Sequence, residues 1–377
     1  MNSAAALKSD SNLLVPIDYP ADGLLGLWDC LPDSLQNVAT RLKTEYAAYA
    51  NDDSIAALKS EERSLFAGGD GSKKNPYQIE TVSQLKNFSS SRWMFDDFHL
   101  NADIKWDSSE WTPLGWSNAH GQIARNIPPY FGNFSGEKPD GSSYTISNLK
   151  RTDGIESFHS KQNPTCYGFI SALGKNYFSQ IGSTISGSIG HVNFSNYYIN
   201  VTSNGGDNGD LVVLGSVVGF NRGDVFYINV TFDGDMQIIT DYSVGGEGWA
   251  GGLIGINMNG RVTKCTVEGS IYVRRNSSTV GGLAGYTYGG YFYDNIVTSG
   301  QLQAVQGGSG AWIVCGGGVG QEKSDHVASE NNNTLSAERI VNSVNWIFST
   351  KHTDALWYGY RSNSSNWNFA DYYGNVG

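Results

Sequence analysis

The chain has 377 residues, room for one elongated domain or on the order of two or three compact ones, and its 47 glycines and 9 prolines follow no Gly-X-Y period, which excludes collagen. Aromatic residues at 12% exclude a Gly/Ser-rich disordered linker, and a formal net charge of −11 disfavours a nucleic-acid partner. No apolar run reaches the length of about 18 residues that a membrane span needs.

Charged residues make up only 16%, while Asn, Ser and Thr are plentiful, a neutral-polar surface that suits an extracellular or cell-surface protein. The first residues show no basic stretch followed by an apolar one, so no export signal is visible. A leader has been removed, or export takes another route, or the protein is not exported. The four cysteines, Cys30, Cys166, Cys265 and Cys315, are too widely spaced for a zinc knuckle and read as buried thiols rather than bridges.

Residues 1–66 differ from the rest of the chain. Leu35, Val38, Ala39, Leu42, Tyr46 and Tyr49 fall at three- and four-residue steps, which predicts a helix with Asp33 or Ser34 as its cap; a second helical piece is expected over 54–66. Such a segment is expected to cap the N-terminal end of a stacked β region. Gly68-Gly-Asp-Gly71 ends it. From Asn75 the chain turns to short apolar strands cut by Gly, Asn and Ser, as in Phe98-His-Leu, Trp111-Thr-Pro-Leu-Gly, Tyr130-Phe-Gly-Asn-Phe-Ser-Gly and Tyr144-Thr-Ile-Ser-Asn-Leu.

Beyond residue 165 the chain repeats itself. Gly215-Ser-Val-Val-Gly-Phe-Asn, Gly251-Gly-Leu-Ile-Gly-Ile-Asn, Gly281-Gly-Leu-Ala-Gly-Tyr-Thr and Gly316-Gly-Gly-Val-Gly-Gln are successive copies. Anchored on Gly219, Gly255, Gly285 and Gly320, their steps are 36, 30 and 35 residues. A weaker copy begins at Tyr167-Gly-Phe-Ile-Ser. Repeats of this size whose strands are joined by glycine turns predict an all-β, right-handed parallel β-helix (a solenoid) over 67–345, closed at its C-terminal end by 346–377. Leu253, Ile254, Val262 and Val267 are expected to face the core.

The Gly251-Gly-Leu-Ile-Gly unit followed by Val262-Thr-Lys-Cys-Thr-Val-Glu-Gly resembles the GLUG repeat. That repeat occurs in bacterial surface proteins and in non-catalytic regions of immunoglobulin A1 proteases. Asn75-Pro-Tyr-Gln-Ile, Gln84-Leu-Lys-Asn, Asn101-Ala-Asp-Ile and Trp111-Thr-Pro-Leu-Gly resemble the entry segments of the same proteins, so the likeness covers roughly residues 68 to 345. Two departures stand out. The family's Phe-Asp-Gly-Asn-Gly turn is replaced by the longer, more polar Phe134-Ser-Gly-Glu-Lys-Pro-Asp-Gly-Ser-Ser, and the last repeat reads Gln321-Glu-Lys-Ser-Asp-His after its glycines. The resemblance implies a surface scaffold that belongs to a larger surface polyprotein.

Immunoglobulin A1 proteases of this kind are zinc enzymes, and a zinc protease needs two histidines one helical turn apart with a glutamate between them. The histidines here are His99, His120, His159, His191, His326 and His352, and no His-Glu-x-x-His occurs. The likeness is to the scaffold, not to a catalytic domain. A carbohydrate-active enzyme on the same scaffold would need paired carboxylates, for which Asp233 and Asp235 with nearby Asp241 and Glu247 are the best candidates. The plainer reading is that Asp and Gly make a turn there. Calcium could be held at Asp207 and Asp210, although neither supplies a full ligand series. Asn-x-Ser/Thr sequences such as Asn200-Val-Thr are expected by chance in so Asn-rich a chain.

The aromatic run Tyr286-Thr-Tyr288-Gly-Gly-Tyr291-Phe-Tyr293, with Trp249, could form a ring platform that stacks on sugars. Alternatively these rings fill the core. Alternation places Tyr291 and Tyr293 on one face and Phe292 on the other. Expected partners are therefore a glycan or a host surface protein, bound by an adhesin-like module without catalysis. A polysaccharide hydrolase or lyase, or a phage or virion fibre component, are the alternatives.

Overall fold

The computed structural model describes residues 64–89, 96–114, 130–152, 154–155, 165–178, 183–203, 211–240, 247–275, 277–298, 301–306, 313–323, 329–331, 333–335, 339–342, 346–349 and 358–362. The described residues are mostly strand, with one helix at Val82–Phe88. The two helices expected within 1–66 fall outside the described residues, except that Ser64, Leu65 and Phe66 form a turn.

Each repeat contributes one rung to each of three parallel ladders. In the repeat that starts at Glu247, Glu247–Gly251 lies in ladder II, Ile254–Met258 in ladder III, and Arg261–Thr263 with Thr266–Arg275 in ladder I. The next repeat lies beside it in register: Trp249 opposite Thr279, Ile256 opposite Tyr286, Val262 opposite Phe292, Val267 opposite Val297. Ladder II runs from Thr165–Tyr167 through Leu211–Gly215, Glu247–Gly251 and Ser277–Gly281 to Ile313–Gly316, and every step is parallel.

The long strands Ser188–Ser203 and Asp224–Thr240 belong to ladder I. A hairpin of Lys175–Phe178 and Ser183–Ser186 is inserted between the ladder III strand Ile170–Leu173 and the ladder I strand Ser188–Ser203.

The glycine spacing acts through close packing. A Cβ on Gly255 would lie 2.3 Å from Val213 Cγ1 and 2.6 Å from the Gly219 carbonyl oxygen. A Cβ on Gly215, in ladder II, would lie 2.5 Å from the Gly255 nitrogen of ladder III, so the two ladders meet with backbone against backbone. The tight link between them turns Leu253 and Leu283 inward, where they are buried with Ile254, Val262, Val267, Val297 and Phe292. The four residues expected to face the core do so.

The N-terminal rungs are held by rings. Trp111 stacks on Phe169 at 4.7 Å and its indole nitrogen donates to the Phe169 carbonyl. The helix sends Leu85 and Phe88 into the same cluster, with Phe88 against Phe98, Phe134 and Phe169. Glycine and strand periodicity do not predict this helix. Its sequence signal is the capping box, in which Thr81 Oγ1 accepts from the Gln84 backbone while Gln84 Oε1 accepts from that of Thr81.

At the other end ladder III continues past residue 345, the limit read from the glycine motifs, because Tyr358–Ser362 pairs parallel with Val319–Lys323. No Gly-Gly-x-x-Gly unit precedes that rung, so its membership is a matter of pairing, not motif. Trp346–Ser349 instead folds back antiparallel on Arg339–Asn342. An antiparallel strand there covers an edge that would otherwise offer unpaired backbone groups.

Leu253→Ala should lower unfolding free energy by about 2–5 kcal/mol in denaturant titration, since the site is fully enclosed. Gly255→Ala should also destabilise, by about 1–3 kcal/mol, because its contacts are partly backbone and cannot rotate away. An unchanged midpoint in either variant would mean that the two ladders do not meet as described.

Candidate binding face on ladder I

Alternation along ladder I separates its two faces. Val225, Val262 and Phe292 point inward and are buried, while Asp224, Arg261 and Tyr291 occupy one outward row and Phe226, Thr263 and Tyr293 the next. After the second row the chain turns a corner. His191, Tyr227, Lys264 and Asp294 stand at that corner in four successive repeats, with φ of 55°, 51°, 55° and 56°. These are left-handed conformations, sparsely populated by side chains of this size, and the ladder hydrogen bonds on either side hold them.

The corner residues form a column. The His191 ring stacks on Tyr227 at 4.5 Å and 21°, and Glu137 lies 3.8 Å from the imidazole. From the following rung Lys264 places its ammonium 4.9 Å from the Tyr227 ring centre and donates to the phenol oxygen at 2.7 Å. That hydrogen bond, with Asp294 contributing, raises the Lys264 pKa above the ordinary lysine value. In the neighbouring row Arg261 reaches over Tyr291 at 6.0 Å and lies 3.9 Å from Asp224, while Tyr291 and Tyr293 stack at 6.0 Å and 29°.

Exposure singles out this face. The large apolar side chains that are exposed among the described residues are Tyr227 (41%), Tyr291 (45%) and Ile296 (42%), and all three project from it. Ile296 belongs to the row beyond the corner, beside Thr266, where Asn229 donates to Asn193 at 2.8 Å.

The aromatic platform read from the sequence divides in two. Tyr291 and Tyr293 face outward and Phe292 inward, as alternation requires. Trp249, Tyr286 and Tyr288 do not join them. They are 6%, 3% and 7% exposed, and Trp249 lies within a strand. Trp249 stacks on Tyr286 at 4.8 Å across ladders II and III. The physical reason is that the strands of these two ladders are enclosed on both faces, so rings at outward-looking positions are still covered.

The described acidic candidates fall on two ladders. Asp233 and Asp235 are exposed on either side of Gly234, whose φ of 77° bends the strand where the register shifts between Thr231 and Asp235. Glu247 opens a strand of ladder II, and Asp241, Asp207 and Asp210 fall outside the described residues. Among the described residues no three His, Cys, Asp or Glu side chains stand together as metal ligands would. Cys166, Cys265 and Cys315 are buried, and burial pushes the Cys265 thiol up to about 12. Cys30 falls outside the described residues.

Glycine spacing and aromatic runs do not single out His191, Tyr227, Arg261 or Lys264. Aligning the repeats on Gly223, Gly260 and Gly290 brings Tyr227, Lys264 and Asp294 into one column, but their residue types differ, so only stacking reveals that they touch.

Residues 250–272 match the family model of the GLUG motif. That stretch begins in ladder II, passes through ladder III and ends in ladder I. Among solved structures the chain is similar to a crystal structure of a protein from Bacteroides ovatus provisionally designated an immunoglobulin A1 protease. Identity is 17%, the match covers 79% of this chain and 87% of that one, and the TM-score is 0.38. No curated protein matches the chain. No helix among the described residues is long and apolar enough to cross a membrane.

Tyr227→Phe should lower the Lys264 titration midpoint towards the ordinary lysine value, because the phenol oxygen is the main group that favours the ammonium. The pair stabilises the fold below the ordinary lysine pKa and ceases to do so as pH rises through the raised one. Side-chain NMR of Lys264 across alkaline pH measures the midpoint; an identical midpoint in the variant would show that the hydrogen bond is not formed in solution.

Proposed function

We propose that the chain is a secreted or cell-surface, adhesin-like binding module without catalysis of its own, and that the outward face of ladder I recognises a glycan. The three parallel ladders are taken to wind as a right-handed β-helix, the hand that strand–crossover–strand connections adopt almost without exception. Residues 1–66 cap one end of it, and the segment beyond 345 closes the other around the rung at Tyr358–Ser362. The whole is a module of a larger surface polyprotein.

One observation carries the assignment: the exposed large apolar side chains fall on a single outward face, within reach of Arg261, Lys264 and a row of amide and hydroxyl groups. Exposed apolar groups rimmed by polar ones mark interaction sites. Tyrosine suits sugars because its ring packs on apolar C–H groups while its hydroxyl hydrogen-bonds at little entropic cost.

The double variant Tyr291→Ala with Tyr293→Ala should keep its β circular dichroism and unfolding midpoint and lose retention on a glycan array. Retention by the folded double variant would move the binding site elsewhere; product release from a polysaccharide, abolished in Asp233→Asn, would replace binding by catalysis.

A further inference from the structure

Resting on the glycan reading, we infer that the ligand of this face is an uncharged, linear polysaccharide whose chain runs along the ladder axis, crossing the rungs rather than following one strand. Two independent features support this: the compensation of charge on the face, and the way its contact groups are spaced.

The cations of the corner column and of the row beside it each have a counterpart within the face. The Arg261 guanidinium lies 3.9 Å from Asp224, and the Lys264 ammonium bonds the Tyr227 phenol beside Asp294. Glu268 adds a further exposed carboxylate. A uronate or sulfated chain would meet a face whose positive groups are already engaged, on a protein of net charge −11. Hydroxyl groups have no such difficulty. The carboxylates and the Asn193 and Asn229 amides accept from them, and the cations and amides donate to them.

The spacing of the groups gives the direction. His191, Tyr227, Lys264 and Asp294 occupy consecutive rungs, and the aromatic pair Tyr291–Tyr293 stands on the same rung as Asp294. Rungs lie about 4.8 Å apart, so four rungs span about 14 Å. The step matches that of an extended β-1,4-linked pyranose chain, one sugar to a rung. Along a strand, by contrast, a rung turns at the corner after two outward positions, and a chain laid that way would have to bend with it. A single terminal sugar would touch the Tyr291–Tyr293 rung and leave Tyr227 without a role.

Isothermal titration of the full chain with cello-oligosaccharides and chito-oligosaccharides, from dimer to hexamer, tests this against an alginate hexamer as the anionic control. The expected result is at least about tenfold tighter binding of a neutral hexamer than of its dimer, little change when sodium chloride is raised about tenfold, and no preference for alginate. Tyr227→Ala should weaken the hexamer while leaving dimer binding at Tyr291–Tyr293 unaltered, with circular dichroism confirming the fold. Equal affinity for dimer and hexamer would overturn the axial chain, and preference for alginate or a steep salt dependence would overturn the uncharged ligand; either leaves the glycan reading standing. Binding to none of these probes, with a folded protein, would defeat the inference and the glycan reading together.

Discussion

Ladders II and III can approach as they do only because glycine occupies the points of contact. A Cβ on Gly251 would sit 2.0 Å from the Ile254 carbonyl oxygen and 2.6 Å from the Gly285 nitrogen, and one on Gly281 2.0 Å from the Ala284 oxygen and 2.5 Å from the Gly320 nitrogen. The contacts are with backbone, which has nowhere to go. Each repeat is thus locked to the next through its glycines, and the tight link between them points Leu253 or Leu283 into the core. The register of ladder I is set in turn, since the strand that leaves ladder III has only a short turn before it pairs.

Once the register is fixed, equivalent residues of successive repeats stack, and the fold uses this inside as well as out. Asn221 donates to Asn257 at 2.8 Å, and Asn257 donates to the carbonyls of Gly260 and Gly289. At the corner of ladder I, Asn295 takes the place held by Cys265 one rung earlier; it accepts from the Cys265 nitrogen and donates to Val262 and Asn333. Buried amides are costly unless paired, and stacking supplies the partner from the neighbouring rung. The outward column of His191, Tyr227 and Lys264 obeys the same geometry without the same necessity. Tyr227 and Lys264 are exposed, and exposed pairs of this kind contribute little to stability. That column is therefore free to vary in residue type, which suits a surface whose task is recognition.

Much of this was legible in the chain itself. The glycine steps anchored on Gly219, Gly255, Gly285 and Gly320 fix the repeat length, and the apolar positions Leu253, Ile254, Val262 and Val267 fix the inward face. Both come from local rules: glycine marks close backbone approach, and alternation assigns sides. The assignment of Tyr291 and Tyr293 outward with Phe292 inward rests on the same alternation. The Thr81–Gln84 capping box was also present, but its helix is short and its surroundings read as strand.

Which outward positions remain outward is settled in three dimensions. Trp249 and Tyr286 have the chemistry of a sugar platform and the sequence neighbourhood of Tyr291, yet ladders II and III are enclosed on both faces and bury them. Asp233 and Glu247 are near in sequence, yet they lie at a bend of ladder I and on a strand of ladder II. Tyr227 and Lys264 are 37 residues apart and share one hydrogen bond. Burial and contact depend on how rungs stack, a property of pairs of repeats that no single repeat encodes. The repeat, its inward side and its glycine contacts are written in the chain; which side chains meet solvent, and which meet each other, is set by stacking alone.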